Sequence, residues 1–413
     1  MYLTSVTQRE RLLKVATRWF ADRPEPGDGR FVSQVFIYES VIWAPTLRRF
    51  VADILRATYG GAVRLQRFET KDQLRGALCA GCSASSPRAE ALCQQYRRHP
   101  EEFFPATPAD LVLVTREDGW PLAMIRIKRV RRIAEKASRR VADCLAERIR
   151  TLAEGVAASR AAAAGVPLSD LFSSSESMLD DFAQAERMVS RAFRDETPTF
   201  SPQDLRIDDV IGIKFIGSPE ELHSIERAVA SHPLLSGFER EEHRGRYNDV
   251  NLLADLTLPA PGVVVDAAAG LDWSAAAGRG LAPAALAREF APYVESGART
   301  VRAEVILTTC EELLESEFGR SIHEQRILEQ RRSLPYSGRI ASNASFLTEY
   351  LLMLAISPQV EVTRLPVQMW GRYLPDIYAL AVWELFGIHL GLDLMPAFAD
   401  ATEALLHPPG PAS

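Results

Sequence analysis

AEVILTTCEELLESEFGRSIHEQR, residues 303–326, sets a β-like run carrying the carboxylate of Glu304 directly before a helical stretch carrying Glu317, Gly319 and His323. A strand that delivers an acid and passes straight into a polar helix is the layout of a site rather than of plain core, so the elements that precede it decide the fold.

Two further strands are expected upstream, at Asp209–Ile216 (DVIGIKFI) and Tyr247–Leu258 (YNDVNLLADLTL), with the run itself spanning Val301–Thr308. A helix, SPEELHSIERAVASH, joins the first to the second. The stretch from Asp110 to Lys128 reads as a hairpin, LVLVT and LAMIRIK flanking the turn REDGWP. From Val130 to Ala164 the apolar positions Val130, Ile133, Ala134, Ala137 and Val141 share one helical face, and the Ala-rich continuation favours a long helix. The sequence therefore predicts an α+β fold with a mixed, mainly antiparallel sheet from residues 111 to 308, flanked by helices.

Three regions follow. Residues 1–110 read as a helical N-terminal region, with pieces SVTQRERLLKVATRWF and YESVIWAPTLRRFVADILRATYG around the turn-rich RPEPGDGR. Residues 111–330 form the sheet domain, with insertions near 141–200 and 259–299, the second holding a short helix at Pro283–Phe290 and read as a lid or spacer. Residues 331–413 form a helical C-terminal region ending in a disordered tail, HPPGPAS.

Composition bounds the function. The chain has 413 residues, 48 basic against 54 acidic, and a formal charge of −6, so no surface-wide nucleic-acid or lipid coat is expected and any anion site is local. Five cysteines make no secreted disulfide framework, and MYLTSVTQRERLLK lacks the apolar core of a signal peptide, so the expected compartment is the cytoplasm. Cys79 and Cys82 form a lone CxxC, short of the four ligands of structural zinc. The apolar stretch Ile377–Met395 contains Glu384, His389 and Asp393, which reads as a buried core helix and not a membrane span.

Two groups of residues carry chemistry. Asp209 at one strand end and Glu304 within another bring two carboxylates together if their strands are neighbours, enough for Mg²⁺ when substrate phosphate completes the shell; solvated acids at strand ends are the plainer alternative. Ile125–Arg140, IRIKRVRRIAEKASRR, has eight basic residues and one acid. On a helix, Arg129, Arg132, Lys136 and Arg140 line one face, which suits phosphate, a nucleic-acid backbone or a solvated basic surface.

Taken in order, these blocks resemble the synthetase domain of the RelA/SpoT family, which moves pyrophosphate from ATP to the 3′-hydroxyl of GDP or GTP. The family's GRxKxxxSIxxK is matched by Arg126, Lys128, Ile133 and Lys136, with Ile125 for the Gly and Arg132 for the Ser. DIIGIRII is matched by DVIGIKFI, with Lys214 for Arg. NGYxSLH is matched by Tyr247, with Asn251 for His. ExQxRTxxMxxxAExGxAAH aligns without a gap on Glu304, Thr309, Glu317, Gly319 and His323, while Ile306 replaces Gln and Thr308 replaces Arg. The resemblance covers residues 120 to 330, and no His-Asp dipeptide marks a hydrolase half.

The resemblance implies a nucleotidyltransferase-type sheet and a (p)ppGpp synthetase-like activity. Asp209 and Glu304 would be catalytic and hold Mg²⁺, Arg126, Lys128 and Lys136 would take ATP phosphates, and Tyr247 and Asn251 the acceptor guanine nucleotide, with Lys214, Glu317 and His323 in a second rank. Glu317 also reads as a helix-surface acid paired with Arg320. The same residues leave two alternatives: transfer to a tRNA 3′ end, suggested by Arg129, Arg131, Arg139 and Arg140, or an inactive nucleotide-binding protein, suggested by Ile306 and Thr308. The sequence leaves the oligomeric state open.

Overall fold

A computed structural model describes residues 1–104, 106–195, 197, 201–244, 248–319, 338–372 and 377–388. In chain order the elements are β1 (Tyr2–Leu3), α1 (Arg9–Phe20), α2 (Asp28–Thr58), β2 (Arg64–Thr70), α3 (Lys71–Cys82), α4 (Pro87–Arg98), β3 (Pro108–Thr115), β4 (Pro121–Ile127), α5 (Val130–Ala163), α6 (Ser175–Arg194), β5 (Arg206–Ile207), β6 (Ile211–Ile216) and α7 (Pro219–Ala230). They continue with β7 (Leu235–His243), β8 (Asp249–Thr257), α8 (Pro261–Ala268), α9 (Pro283–Glu295), β9 (Thr300–Thr308), α10 (Cys310–Phe318), α11 (Arg339–Met353) and α12 (Ile377–Phe386).

The fold is α+β. Seven strands form one sheet in the order β2-β3-β4-β6-β9-β8-β7, and β1 pairs with β5 in a small parallel ribbon. Within the large sheet every pair is antiparallel except β6 with β9, which run parallel. The expected hairpin forms: the β3–β4 turn closes through Gly119 at φ +88°, a left-handed conformation that favours glycine. Gly81 on α3 abuts this turn, where a Cβ would lie 2.4 Å from the Gly119 carbonyl oxygen.

Strand period two separates the faces. Ala123, Ile125, Ile211, Ile213, Phe215, Ala303, Val305 and Leu307 point into the larger core, shared with Phe50 and Ile54 of α2 and Ile133, Ala137 and Val141 of α5. The other face divides. Leu111, Leu113, Met124 and Ile216 are covered by α3, α4 and α10 in a second core. Arg126, Gly212, Lys214, Leu253, Asn251, Glu304 and Ile306 stay half-buried on the uncovered part.

Several expectations change. The N-terminal 110 residues are not wholly helical, because β2 within them forms the sheet edge; of its side chains only Phe68 is buried, so no apolar alternation announces it. The second N-terminal helix starts at Asp28, not Tyr38, because Asp28 ties the turn to α1: Arg18 and Trp19 Nε1 (2.8 Å) both donate to its carboxylate. β7 has no buried residue and was hidden for the same reason as β2. Asp209 precedes β6 instead of opening it.

The 259–299 segment is neither lid nor spacer. It holds two helices, the second longer than expected, and Tyr38 of α2 packs on Trp273, Phe290 and Tyr293 with ring centroids 4.9–5.6 Å apart. The 141–200 insertion is the remainder of α5 and the antiparallel α6, bound by Arg160 to Asp181 at 2.6 Å. α12 is shorter than the core helix read from Ile377–Met395, and it buries Leu385 while leaving Trp383 and Phe386 exposed. The HPPGPAS tail lies outside the described residues. No helix among the described residues is long and apolar enough to cross a membrane.

The cysteines also differ from expectation. Cys82 and Cys310 form a disulfide between the end of α3 and the start of α10. Cys79 of the CxxC instead hydrogen-bonds Cys93, and burial followed by that contact pushes its thiol up to about 12. No group of three or more metal-ligating side chains occurs among the described residues.

Glu39 of α2 is fully buried and joins three elements. Its Oε1 accepts from Thr7 N (2.7 Å), Thr7 Oγ1 (2.5 Å) and Tyr293 Oη (2.8 Å), whereas Oε2 has no partner. Burial outweighs these donors and raises its carboxyl to about 7 from 4.5. A folded-state value above the unfolded one stabilises fully below pH 4.5 and fades as pH rises through 7. Urea unfolding at pH 5 and pH 8 should therefore show a loss of up to roughly 3 kcal/mol in the native protein that Glu39→Gln largely removes.

Candidate active site

The site is built where β6 and β9 pair in parallel. Register sets Gly212 beside Glu304 on one side and beside Arg126 of β4 on the other. Gly212 matters here through its missing side chain: a Cβ would sit 3.7 Å from Glu304 Oε2, in ordinary contact, but anything longer would fill the space between Arg126 and Glu304. Asn251 of β8, two residue pairs further along, donates from Nδ2 to Glu304 Oε1 at 3.3 Å, and its buried Oδ1 has no partner among the described residues.

The ladder continues past the end of β4, where Lys128 N donates to Val210 O at 2.9 Å. This anchors Lys128 beside Asp209. Its Nζ donates to the Asp209 carbonyl, lies 2.7 Å from Asp209 Oδ2 and 3.7 Å from Glu304 Oε2. Lys136, two turns into α5, reaches the same Asp209 oxygen. The side chains of Lys128, Glu304 and Asp209 keep 12, 18 and 22% exposure, recessed yet open to a ligand. Burial opposes ionisation of Asp209, but Lys128 and Lys136 outweigh it and hold the carboxyl at about 2. The Lys128 ammonium is itself lowered by burial, against the pull of Glu304 and Asp209.

A second cluster adjoins the first. Lys71 Nζ donates to both Glu317 oxygens, at 2.7 and 2.6 Å, and Arg75 Nε lies 3.9 Å away. Arg126 and Lys214 face the same carboxylate electrostatically. Burial opposes ionisation of Glu317, and Lys71, Lys214 and Arg126 override it to hold the carboxyl at about 2. Lys214 is lowered to about 8 by burial first and Arg126 next, with Glu317 and Asp249 opposing. Among the described residues, four cations, Lys71, Arg75, Arg126 and Lys214, face Glu317, with Asp249 acting on Lys214, so cations outnumber acids here, an environment that suits phosphate oxygens.

The sequence-predicted residues thus divide. Asp209, Glu304, Lys128, Lys136 and Asn251 come together. Arg126 shares their face but belongs equally to the Glu317 cluster, and it makes no ion pair among the described residues. Glu317 is not a helix-surface acid: its partners are Lys71 and Arg75, because α10 packs its acid inward against the start of α3. α10 ends at Phe318 with extended backbone at Gly319. Tyr247, His323 and Arg320 lie outside the described residues. Thr308 is buried, and Ile306 lies half-buried between Lys214 and Asn251 in the register.

Sequence reasoning missed Lys71 and Arg75. The usable signal was FETKDQL, residues 68–74: Thr70 and Gln73 form a capping box that starts α3 and places Lys71 in its first turn. Of the expected basic face on α5, Arg132 pairs with Glu135 at 2.8 Å, and Arg131, which suggested a tRNA acceptor, pairs with Glu349 of α11.

No protein-family model, curated protein or solved structure matches the chain.

Removing the acid at the second cluster strands four cations. Glu317→Gln should lower stability at pH 7 by roughly 3–5 kcal/mol, measured by urea unfolding. Because the folded carboxyl lies below its unfolded value, its contribution is present above pH 4.5 and lost as pH falls through about 2. The gap between native and variant proteins should therefore narrow in acid.

Proposed function

We propose that the open face of the sheet carries out ATP-dependent pyrophosphate transfer to the 3′-hydroxyl of a guanine nucleotide, in the manner of the RelA/SpoT-like synthetases that the sequence resembles. The observation that carries this reading is the approach of Asp209 and Glu304 to Lys128, at the one parallel strand pair of the large sheet among the described residues, beside a second cluster rich in cations.

The donor set fits Mg²⁺. Two carboxylates offer hard oxygens on an open face, and with no third acid nearby among the described residues the remaining shell falls to water and phosphate, as this ion prefers. Held by Asp209 and Glu304, Mg²⁺ would offset the negative charge of the transferred phosphates.

The protein's own groups account for the rest. Lys128, Lys136 and Arg126 would bind the triphosphate through charge-assisted hydrogen bonds, and Lys71 and Lys214 would hold phosphates of the acceptor. Asn251 Oδ1, an acceptor without a partner among the described residues, would accept from the acceptor's 2′-hydroxyl, leaving the 3′-hydroxyl proton to Glu304. The hydroxyl oxygen attacks the β-phosphorus, the bond from that phosphorus to the α-phosphate bridging oxygen breaks, and AMP leaves. Glu304 is placed to take the hydroxyl proton.

Acceptor transfer is read by mass and label. With ATP labelled at either the β or the γ phosphate, both labels should appear on GDP or GTP, with AMP as co-product, and Glu304→Gln should reduce the rate roughly 10²-fold or more. Transfer of the γ label alone, label on a tRNA 3′ end in place of the nucleotide, or full activity in Glu304→Gln would each overturn the proposal.

A further inference from the structure

We propose that Lys128 is a resident counter-cation: its ammonium fills the space between Asp209 and Glu304, so that a divalent cation enters only together with a polyphosphate that draws the lysine away. The inference rests on the reading of Asp209 and Glu304 as the cation-holding pair, and it concerns the order in which that site fills.

Geometry supplies the argument. Lys128 has its backbone fixed by the hydrogen bond from its N to Val210 O at 2.9 Å, so its side chain starts from a set position in the sheet. Its Nζ then addresses three oxygens of the pair: the Asp209 carbonyl, Asp209 Oδ2 at 2.7 Å and Glu304 Oε2 at 3.7 Å. An ammonium has three N–H donors and no acceptor: the two Asp209 oxygens lie within hydrogen-bond distance, and Glu304 at 3.7 Å attracts it as an ion pair.

Charge supplies the rest. Lys128 and Lys136 offset Asp209 and Glu304 one for one. A divalent cation arriving alone meets a neutral cluster with two ammonium groups at its centre, and same-sign repulsion at this range is large even when screened. A nucleoside triphosphate reverses the balance, because its oxygens offer Lys128 and Lys136 new partners and leave both carboxylates to the metal. The lysine's four-carbon stem is flexible enough for this exchange. The face beyond Lys128 is open, since Gly212 brings no side chain between Arg126 and Glu304.

The test measures metal binding without turnover. Mn²⁺ binding, read by electron paramagnetic resonance, is titrated with and without a β,γ-methylene ATP analogue in the native protein, Lys128→Met, Lys128→Gln and Asp209→Asn. The native protein should bind Mn²⁺ at least tenfold more tightly with the analogue than without it, and each Lys128 variant should bind Mn²⁺ alone at least about tenfold more tightly than the native protein. Two variants are used so that poor folding of one leaves the test intact. If Mn²⁺ binds with the analogue and is lost in Asp209→Asn, yet neither Lys128 variant gains affinity for Mn²⁺ alone, the metal reading stands and the counter-cation role is overturned. If no Mn²⁺ binds the native protein or the Lys128 variants even with the analogue, both fall.

Discussion

The hydrogen-bond register between β6 and β9 is the constraint on which the site depends, because within the large sheet it lays two strands from distant parts of the chain side by side and in the same direction. Parallel pairing needs a crossover, and α7, β7, β8, α8 and α9 all lie between the two strands in sequence. Once Gly212 is opposite Glu304, the pleat puts Lys214 and Ile306 on the same face two residues on, and Arg126 on the neighbouring strand. A one-residue slip would send Glu304 into the apolar core with Val305 in its place. The buried neighbours Ile211, Ile213, Ala303 and Val305 guard against that slip, so the larger core that stabilises the fold also aims the acid.

Electrostatics then distinguishes two halves of one face. Around Asp209 and Glu304 the opposite charges balance, and against its burial the Asp209 carboxyl is held at about 2 by Lys128 and Lys136. Around Glu317 the cations outnumber the acid, and Lys214 is pushed down to about 8 by its burial and its positive neighbours. A balanced half suits a metal that must displace or outbid a lysine, and an unbalanced half suits phosphate.

What the sequence revealed follows from how the chain buries its side chains. The β3–β4 hairpin, α5, β6, β8 and β9 were legible because each alternates or repeats apolar residues against a core, and DVIGIKFI and AEVILTT marked the strands that bring Asp209 and Glu304 near Lys128. β2 and β7 were not, since edge strands such as RLQRFET and LSGFEREEH bury almost nothing and so leave no period to read. For the same reason Lys71 and Arg75 escaped notice: they follow an unrecognised strand, and only the tertiary approach of α3 to α10, linked by Cys82–Cys310, joins them to Glu317. Long-range placement of a single charge leaves no mark in local pattern.

The proposed function requires Asp209 and Glu304 to form one cation-holding centre at the head of the parallel strand pair. Crystals grown with Mn²⁺ and a β,γ-methylene ATP analogue test it through the anomalous scattering of manganese. The account predicts a single strong peak coordinated by both carboxylates and by oxygens of the triphosphate. A peak bound by neither acid, or a triphosphate seated away from Lys128 and Arg126, would contradict it.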